Sequence, residues 1–322
     1  MGTFVKVFAE MTKKDFQEAG GKAANLGELT QGGFQVPAGF CVTSPSLPYV
    51  IDANGLAEPI DRLAASLDFE DYEGVENITG EIRALIEQAT IPVDLEDEIR
   101  RHVAELTADG ALVAVRSSVA LKDTPISSFP GMMDTFHYIK GADDILRHIR
   151  MCWASVWTAR AAFNRHHHDI DYHLALIAPV VQRMVDADIA GIMFTANPLT
   201  GSREEIVIES NWGLGESVVS GKSMNDFFVL AKSDLGLSTR RIARKTVYMC
   251  FDEEQGAGRK EMVCTAEMSE QPTLDDDRVH ALGEMGLRIE AWFGQPQDIE
   301  WAYEDGELYI LQSRNVKSLK EA

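Results

Sequence analysis

Four polar side chains near the end of the chain are spaced to act together. In QDIEWAYEDGELYILQSR, Asp298 and Glu300 alternate along one β-like run, and Gln312 and Arg314 along the next. Residues two apart on a strand share a face, so each pair points one way. Whether the two faces coincide depends on register. A two-residue turn at Asp305-Gly306 pairs Glu300 with Leu311 and sends Gln312 to the far face. A three-residue loop from Asp305 to Glu307 pairs Glu300 with Gln312 and Asp298 with Arg314. The second register gathers two carboxylates, an amide and a guanidinium into a patch suited to Mg²⁺ and phosphate oxygens. The first leaves an edge hairpin with a surface ion pair. Both remain open on the hairpin alone.

Two further places carry phosphate-binding chemistry. Arg116 closes an apolar run, 111–116, and leads into a long segment, 117–134, bearing Ser117, Ser118, Ser127, Ser128 and Gly131, with Thr135 just beyond. An Arg at a strand end suits bidentate phosphate recognition, and a Ser/Gly-rich loop can close over phosphates with backbone donors. The bland alternative is a mobile surface loop, but long loops in compact domains are more often functional. Gly20-Gly21-Lys22 precedes a short helical pattern, 22–31. Two glycines let backbone N–H groups approach an anion at a helix start, where the Lys could reach a phosphate. The same pair also serves as a plain flexible entry.

Other motifs are weaker. GLGESVVSGKS (213–223) has five residues between Gly215 and Gly221, one more than a P-loop allows. Val218 occupies the third-glycine place of the dinucleotide pattern, so a strand-to-turn connection is expected. Adjacent helical residues point in different directions, so His166, His167 and His168 read as a solvated helix end rather than a metal site.

The elements that must position these residues differ between halves. Helices are expected over 57–67, 77–89, 94–107 and 142–165, the last with Ile145, Ile149, Cys152 and Val156 in one stripe. After Pro179 short β-like runs take over: 180–185, 189–195, 205–210, 226–231 and 245–251. A helix is expected over 274–293, and then the closing runs 297–303 and 307–313. A helix-rich first half and a strand-rich second half predict two lobes meeting near residue 182, a usual setting for a ligand cleft.

Composition narrows the classes of partner. The 322 residues carry 30 Lys plus Arg against 51 Asp plus Glu, a formal charge of −21. That balance argues against nonspecific nucleic-acid or anionic-membrane binding, which need basic patches. The N-terminus lacks an apolar core and a small-residue cleavage site, and no run reaches membrane-spanning length. The four cysteines, Cys41, Cys152, Cys250 and Cys264, are scattered, which fits a reducing cytoplasm better than a disulfide framework.

Taken together and in order, several segments resemble one family. They are GGKAANLGEL (20–29), VPAGFCVT (36–43), VAVRSS (113–118), SFPGMMDTF (128–136), VVQRMV (180–185), GIMFTANPLTG (191–201), NWGLGESVVSG (211–221) and DIEW…LQSR (298–314). The family is the N-terminal nucleotide-binding part of the phosphoenolpyruvate synthase, pyruvate phosphate dikinase and rifampicin phosphotransferase group, an ATP-grasp variant. The resemblance implies an α+β ATP-grasp fold of two lobes enclosing a nucleotide cleft. A helix-rich lobe over 1–182 would carry a phosphate-covering loop, and a strand-rich lobe would span 183–322.

It also implies roles. Lys22 resembles the family's phosphate-binding Lys and Arg116 its catalytic phosphate-binding Arg. Gly131 and Thr135 fall where a loop covers the phosphates. Gln182 and the backbone around Met184 fall where adenine is held. Glu300 and Gln312 match the Mg²⁺ and phosphate ligands, and Arg314 a phosphate-binding Arg. Lys22, Arg116 and Arg314 would then be catalytic. Asp298 is a further metal candidate and Glu209 a further nucleotide contact. ALKDTPISSFPGMMDT departs from the synthase pattern, with Lys122 replacing a carboxylate, which leaves the acceptor open. The implied chemistry splits ATP into AMP and phosphate through a phosphorylated His. None of the eight His lies in the Gly/Thr-rich setting of that carrier. The expected partner is therefore a separate subunit bearing the His, a layout resembling phenylphosphate synthase, with phenol as final acceptor. The alternatives are a stand-alone synthase-like or antibiotic phosphotransferase-like ATP domain, and a nucleotide-sensing module without chemistry.

Overall fold

The computed structural model describes residues 4–119, 135–174, 177–219, 221 and 223–316. The chain divides into two compact units. The first comprises 1–28 and 38–184, and the second 29–37 and 185–322. The division thus falls two residues beyond 182, and a nine-residue piece of the first half, 29–37, belongs with the second.

The first unit is built on five strands: β1 (Val5–Val7), β2 (Gly39–Val42), β3 (Val113–Val119), β4 (Thr135–Ile139) and β5 (Ile177–Arg183). Their order is β1-β2-β5-β3-β4, antiparallel throughout. The helices are α1 (Phe16–Gln31), α2 (Ser46–Ala53), α3 (Ala57–Ala65), α4 (Tyr72–Gln88), α5 (Val93–Leu106), α6 (Ala142–Ala154) and α7 (Ala159–His167). Strand alternation gives the sheet two different faces. Val113, Val115 and Val181 point into a core with Ile82, Ile99, Ile149 and Trp153 from the helices. Arg116, Ser118, Val180 and Gln182 take the other face, on which α1 lies.

Helix α1 is broken at Gly20, whose φ of +72° and ψ of 171° are not helical. The break has a steric cause. A Cβ at Gly20 would lie 2.4 Å from Ser118 Oγ and 2.5 Å from the Val119 carbonyl oxygen. Only glycine lets the chain pass this close to the end of β3. The helix restarts at once, which puts Lys22 in its first turn.

The stripe expected over 142–165 is real, but it is not one helix. Residues α6 ends at Ala154, Ser155–Trp157 form a 3-10 turn, and Thr158 adopts extended backbone. The Thr158 hydroxyl accepts from the Ala161 amide and caps α7. The buried apolar side chains continue across the break through Val156 and Trp157, so side-chain periodicity hid it.

The second unit contains β6 (Ile189–Phe194), β7 (Glu205–Trp212), α8 (Glu216–Val219), β8 (Asp226–Ala231), β9 (Leu237–Arg241), β10 (Val247–Phe251), β11 (Arg259–Val263), α9 (Ala266–Glu270), α10 (Asp276–Phe293), β12 (Gln297–Glu304) and β13 (Glu307–Asn315). Six strands form one antiparallel sheet in the order β13-β12-β6-β7-β8-β9, and β10 and β11 form a separate ribbon. One face of the large sheet carries Met193, Ile208, Phe228, Ile299 and Trp301 against Leu282 and Ile289 of α10. Asp275 caps the start of α10 by accepting from the Arg278 amide, and Gly294 ends it with a left-handed φ of 73°. Where α10 meets the sheet, Gly283 and Gly286 permit close approach, since a Cβ at either would lie 3.0 Å from a sheet-unit side chain.

A buried ion pair fixes β8. Lys245 Nζ lies 2.8 Å from Asp226 Oδ1, and both side chains are fully buried. Asp226 also accepts from the Ala243 amide, the Thr273 amide and the Thr273 hydroxyl. The carboxylate therefore keeps several donors after leaving water, as a buried charge must. Among the described residues, no helix is long and apolar enough to cross a membrane. All four cysteines are free thiols.

Candidate functional site

In the first unit, the residues singled out from the sequence gather on the sheet face under α1. Antiparallel pairing sets Arg116 opposite Val180 on β5 and opposite Thr135 on β4, and Ala114 opposite Gln182. Opposed residues share a face, so Arg116, Thr135 and Gln182 point the same way. Arg116 Nη1 donates to Gln182 Oε1 at 3.2 Å. Gln182 is only 3% exposed, and this bond anchors the guanidinium from its buried side. Beside them, Ser118 Oγ accepts from the Ala23 amide at 3.3 Å. That bond, together with the tight passage at Gly20, holds the Lys22 turn against the end of β3.

The restarted helix gives this face a second property. Amides in a helix's first turn have no carbonyl partner within the helix and favour an anion. Here one of them, the Ala23 amide, is taken by Ser118 Oγ, and Lys22 stands in the same turn. Cys41 lies on the same face, opposite Val180. Burial pushes its thiol far above the ordinary range, so it contributes bulk rather than a nucleophile.

Not all of the expected residues are found here. Gly131 lies outside the described residues. Thr135 is described as the first residue of β4. At the end of β5, the Arg183 amide donates to the Ala38 carbonyl and the Met184 amide to the Leu112 carbonyl, both at 2.9 Å. These two N–H groups are spent on the fold.

In the second unit, the hairpin resolves the register question with a device that neither simple alternative contained. The turn is the two-residue one: Glu304 pairs with Glu307 around Asp305-Gly306, both with positive φ. Trp301 duly pairs with Ile310. The register then shifts at Glu300, so that Glu300 pairs with Gln312 and Asp298 with Arg314. Leu311 is the extra residue of a β-bulge, which re-aims everything after it. The short turn and the convergent face therefore coexist.

The result is a polar face opposite the α10 core. Arg314 Nε and Nη2 both donate to Asp298 Oδ2, at 2.8 and 2.7 Å. Asp298 is 8% exposed. Burial pushes its carboxyl above the usual range, the Arg314 charge opposes that shift, and Glu300 adds to it. Asp298 thus acts first as the counter-charge that orients Arg314. The same row crosses the sheet: Gln312 opposes Glu300, Glu300 opposes Ile192, and Ile192 opposes Glu209. Glu209 is two strands, roughly 10 Å, from Glu300. Its Oε2 accepts from Asn225 Nδ2 at 3.0 Å. Gly191 allows the crossing beside it, since a Cβ there would lie 2.1 Å from the Glu209 carbonyl oxygen.

These groups can be tested against Mg²⁺. Among the described residues, no three His, Cys, Asp or Glu side chains cluster to hold a metal unaided. Glu300, Gln312 and the second oxygen of Asp298 are nevertheless hard oxygen donors on one face, with two carboxylates side by side. That set fits Mg²⁺, which usually takes one or two protein carboxylates and fills its shell with phosphate oxygens and water.

Sequence reasoning missed Asn225, Gly191, the bulge at Leu311, and the part Ser118 plays in holding the Lys22 turn. Ser118 had a signal, since it alternates with Arg116. The others depend on pairings across distant strands. The near-P-loop segment forms a connection with the short helix α8, and Gly213 bridges to Met249. Lys222 lies outside the described residues. The histidine triple ends α7 with all three residues exposed, and His166 stacks on Phe69 at 3.9 Å between centroids.

A mixed α+β chain with these two polar faces is an ATP-grasp-like protein. Residues 16–322 match the pyruvate phosphate dikinase AMP/ATP-binding domain, and the chain belongs to that family. It is similar to the probable phosphoenolpyruvate synthase of Methanothermobacter thermautotrophicus, with 40% identity over 100% of this chain and 47% of that protein. The probable phosphoenolpyruvate synthase of Methanocaldococcus jannaschii is 38% identical over 99% of this chain and 27% of its own length. The rifampicin phosphotransferase of Bacillus cereus is 36% identical over 99% of this chain and 36% of its own length. The chain thus spans between about a quarter and a half of these relatives. It carries the ATP-binding domain of a dikinase-type phosphotransferase family.

Proposed function

We propose that this chain binds ATP with Mg²⁺ and passes a phosphoryl group to a histidine carried outside these 322 residues. The observation that carries the reading is the bulged register, which brings Asp298, Glu300, Gln312 and Arg314 to one face. The first-unit face supports it, with Lys22 in a helix's first turn and Arg116 braced by Gln182.

The balance is ATP, water and a histidine giving AMP, phosphate and phosphohistidine. Phosphoryl transfer asks the protein mainly for position and charge compensation. Lys22, Arg116 and the nearby helix amides would hold phosphate oxygens. Arg314, fixed by Asp298, would hold another. Glu300 and Gln312 would hold Mg²⁺, which supplies charge neutralisation on the phosphates. Gln182 would position Arg116, and Thr135 and Gly131 would border the phosphates from the adjoining segment. Adenine would be met near Gln182 and Met184.

The finer reading is a histidine on a separate cytoplasmic subunit with phenol as acceptor, as in phenylphosphate synthase. It rests on resemblance, and one experiment addresses both levels. ATP is incubated with the chain, alone and with a histidine-bearing candidate subunit, and AMP and phosphohistidine are measured. Both products are expected only in the mixture, and phenols are then screened as acceptors. Arg116→Ala is expected to lower turnover by roughly 10²–10³ with an unchanged circular dichroism spectrum. Full activity in that variant would sink the assignment.

A further inference from the structure

Arg165 belongs to a part of the first unit that the nucleotide residues do not use. It sits near the end of α7 and is 3% exposed. One guanidinium N–H donates to the Val156 carbonyl oxygen. The guanidinium carbon lies over the Trp157 ring, 4.8 Å from its centroid. Among the described residues, no carboxylate comes within ion-pairing distance of it. A guanidinium offers five N–H donors, and a buried charge without a counter-charge is costly. Burial alone pushes this group down to about 10.

The same residue lines a cavity of about 280 Å³. Trp157, Tyr172, Phe69 and His166 supply aromatic wall beside aliphatic side chains. Trp157 and Tyr172 meet at 5.3 Å between centroids, and Phe69, on the segment after α3, lines the cavity stacked on His166. The size is at the lower end for ligand pockets, which suits a single ring. Aromatic walls favour an aromatic guest through offset and edge-to-face contact. The cation balances one negative charge. Exposed Asp169 and Asp171 border the cavity and disfavour a guest with more. We propose that this cavity binds a small aromatic carboxylate, with its carboxylate on Arg165 and its ring against Trp157, Tyr172 and Phe69. Such a site is separate from the nucleotide faces and stands whether or not the chain turns over ATP.

The test is calorimetric titration of the full chain with sodium benzoate, and with benzamide as the neutral analogue. Saturable one-to-one binding of benzoate is expected, with benzamide weaker by about tenfold or more, because a charge-assisted hydrogen bond is lost. Arg165→Met is expected to weaken benzoate by about tenfold or more and to leave benzamide unchanged. Removing a buried Arg can disturb the fold, so a second variant guards the test. Ala64→Trp fills the cavity from partly exposed α3 and is expected to abolish benzoate binding while keeping the native circular dichroism spectrum. No saturable benzoate binding up to about 10 mM would overturn the proposal. So would equal affinity for benzamide, or benzoate binding that survives Ala64→Trp. Displacement of benzoate by ATP would place it in the nucleotide site and overturn it as well.

Discussion

The turn that presents Lys22 can be broken by one methyl group, and its neighbour supplies the control. At Gly20 the backbone has φ +72° and ψ 171°, a region open essentially to glycine. Forcing another residue there costs about 1–3 kcal/mol. The new Cβ would also lie 2.5 Å from the Val119 carbonyl oxygen and 2.7 Å from its carbon. Both are backbone atoms of a paired strand and cannot swing aside, so overpacking adds about 1–3 kcal/mol. Restricting the unfolded chain returns about 0.4–1 kcal/mol. The net cost of Gly20→Ala is about 3 kcal/mol. At Gly21 the nearest atom to a new Cβ is the Phe16 ring edge, at 3.2 Å. That ring can shift by a few tenths of an ångström, and the position lies in a helix that favours Ala over Gly by about 0.5–1 kcal/mol. Gly21→Ala should therefore be close to neutral. The assay is urea unfolding followed by hydrogen exchange on peptides from β3, which reports the first unit separately. ATP affinity measured in parallel should fall about tenfold or more in Gly20→Ala, because β3 can relieve the clash only by displacing the Lys22 turn. A Gly20→Ala stability within about 1 kcal/mol of Gly21→Ala would refute the steric argument.

Two further perturbations test the second unit. Lys245→Met leaves the fully buried Asp226 carboxylate without its cation, although its bonds from Ala243 and Thr273 remain. A loss of about 3–5 kcal/mol in denaturant unfolding is expected, and a loss below about 1 kcal/mol would show that the pair is dispensable. Asp298 gives a pH dependence. Its folded-state carboxyl is raised by burial, so the stability linked to it is present below the unfolded value of about 3.9 and is lost as pH rises through the folded value. Asp298→Asn cannot titrate. Without Mg²⁺ or nucleotide, the wild type should therefore lose stability relative to Asp298→Asn as pH rises above about 4. A wild-type advantage that grows with pH would contradict this sign.

The sequence made the chemistry legible and the geometry only partly so. Arg116, Lys22 and the closing hairpin stood out because charged or amide side chains interrupt or follow apolar runs; the expectation that Arg116 ends its strand was wrong, since β3 runs on to Val119 and places Arg116 in mid-strand. The long helices were equally plain, since 3.6-residue stripes such as Ile145, Ile149 and Cys152 reach the core. Three features were hidden for physical reasons. Strands β1 and β2 have three and four residues, too few to display a period. The Thr158 break falls between two segments whose apolar stripe continues across it. The Asp226–Lys245 pair joins residues 19 apart, through a packing that no local pattern announces.

The bulge at Leu311 is the most instructive case, because two correct local rules conflicted there. Asp305-Gly306 is strong hairpin chemistry, and both residues take the positive φ that a two-residue turn of this hand needs. The core rule also holds: Trp301 and Ile310 are opposed and fully buried. Unbroken pairing from that turn would set Leu311 against Glu300 and turn Gln312 and Arg314 towards the α10 face. There the guanidinium would be desolvated among apolar side chains without Asp298, which a buried charge does not tolerate cheaply. One extra residue costs a short disruption of the ladder and avoids that burial. It leaves Leu311 against the small apolar patch formed by Val185, Ala190 and Ala302. The position of the bulge therefore follows from the side chains on both sides of it. Ile310 must stay in the core, Gln312 and Arg314 must leave it, and Leu311 is the residue between.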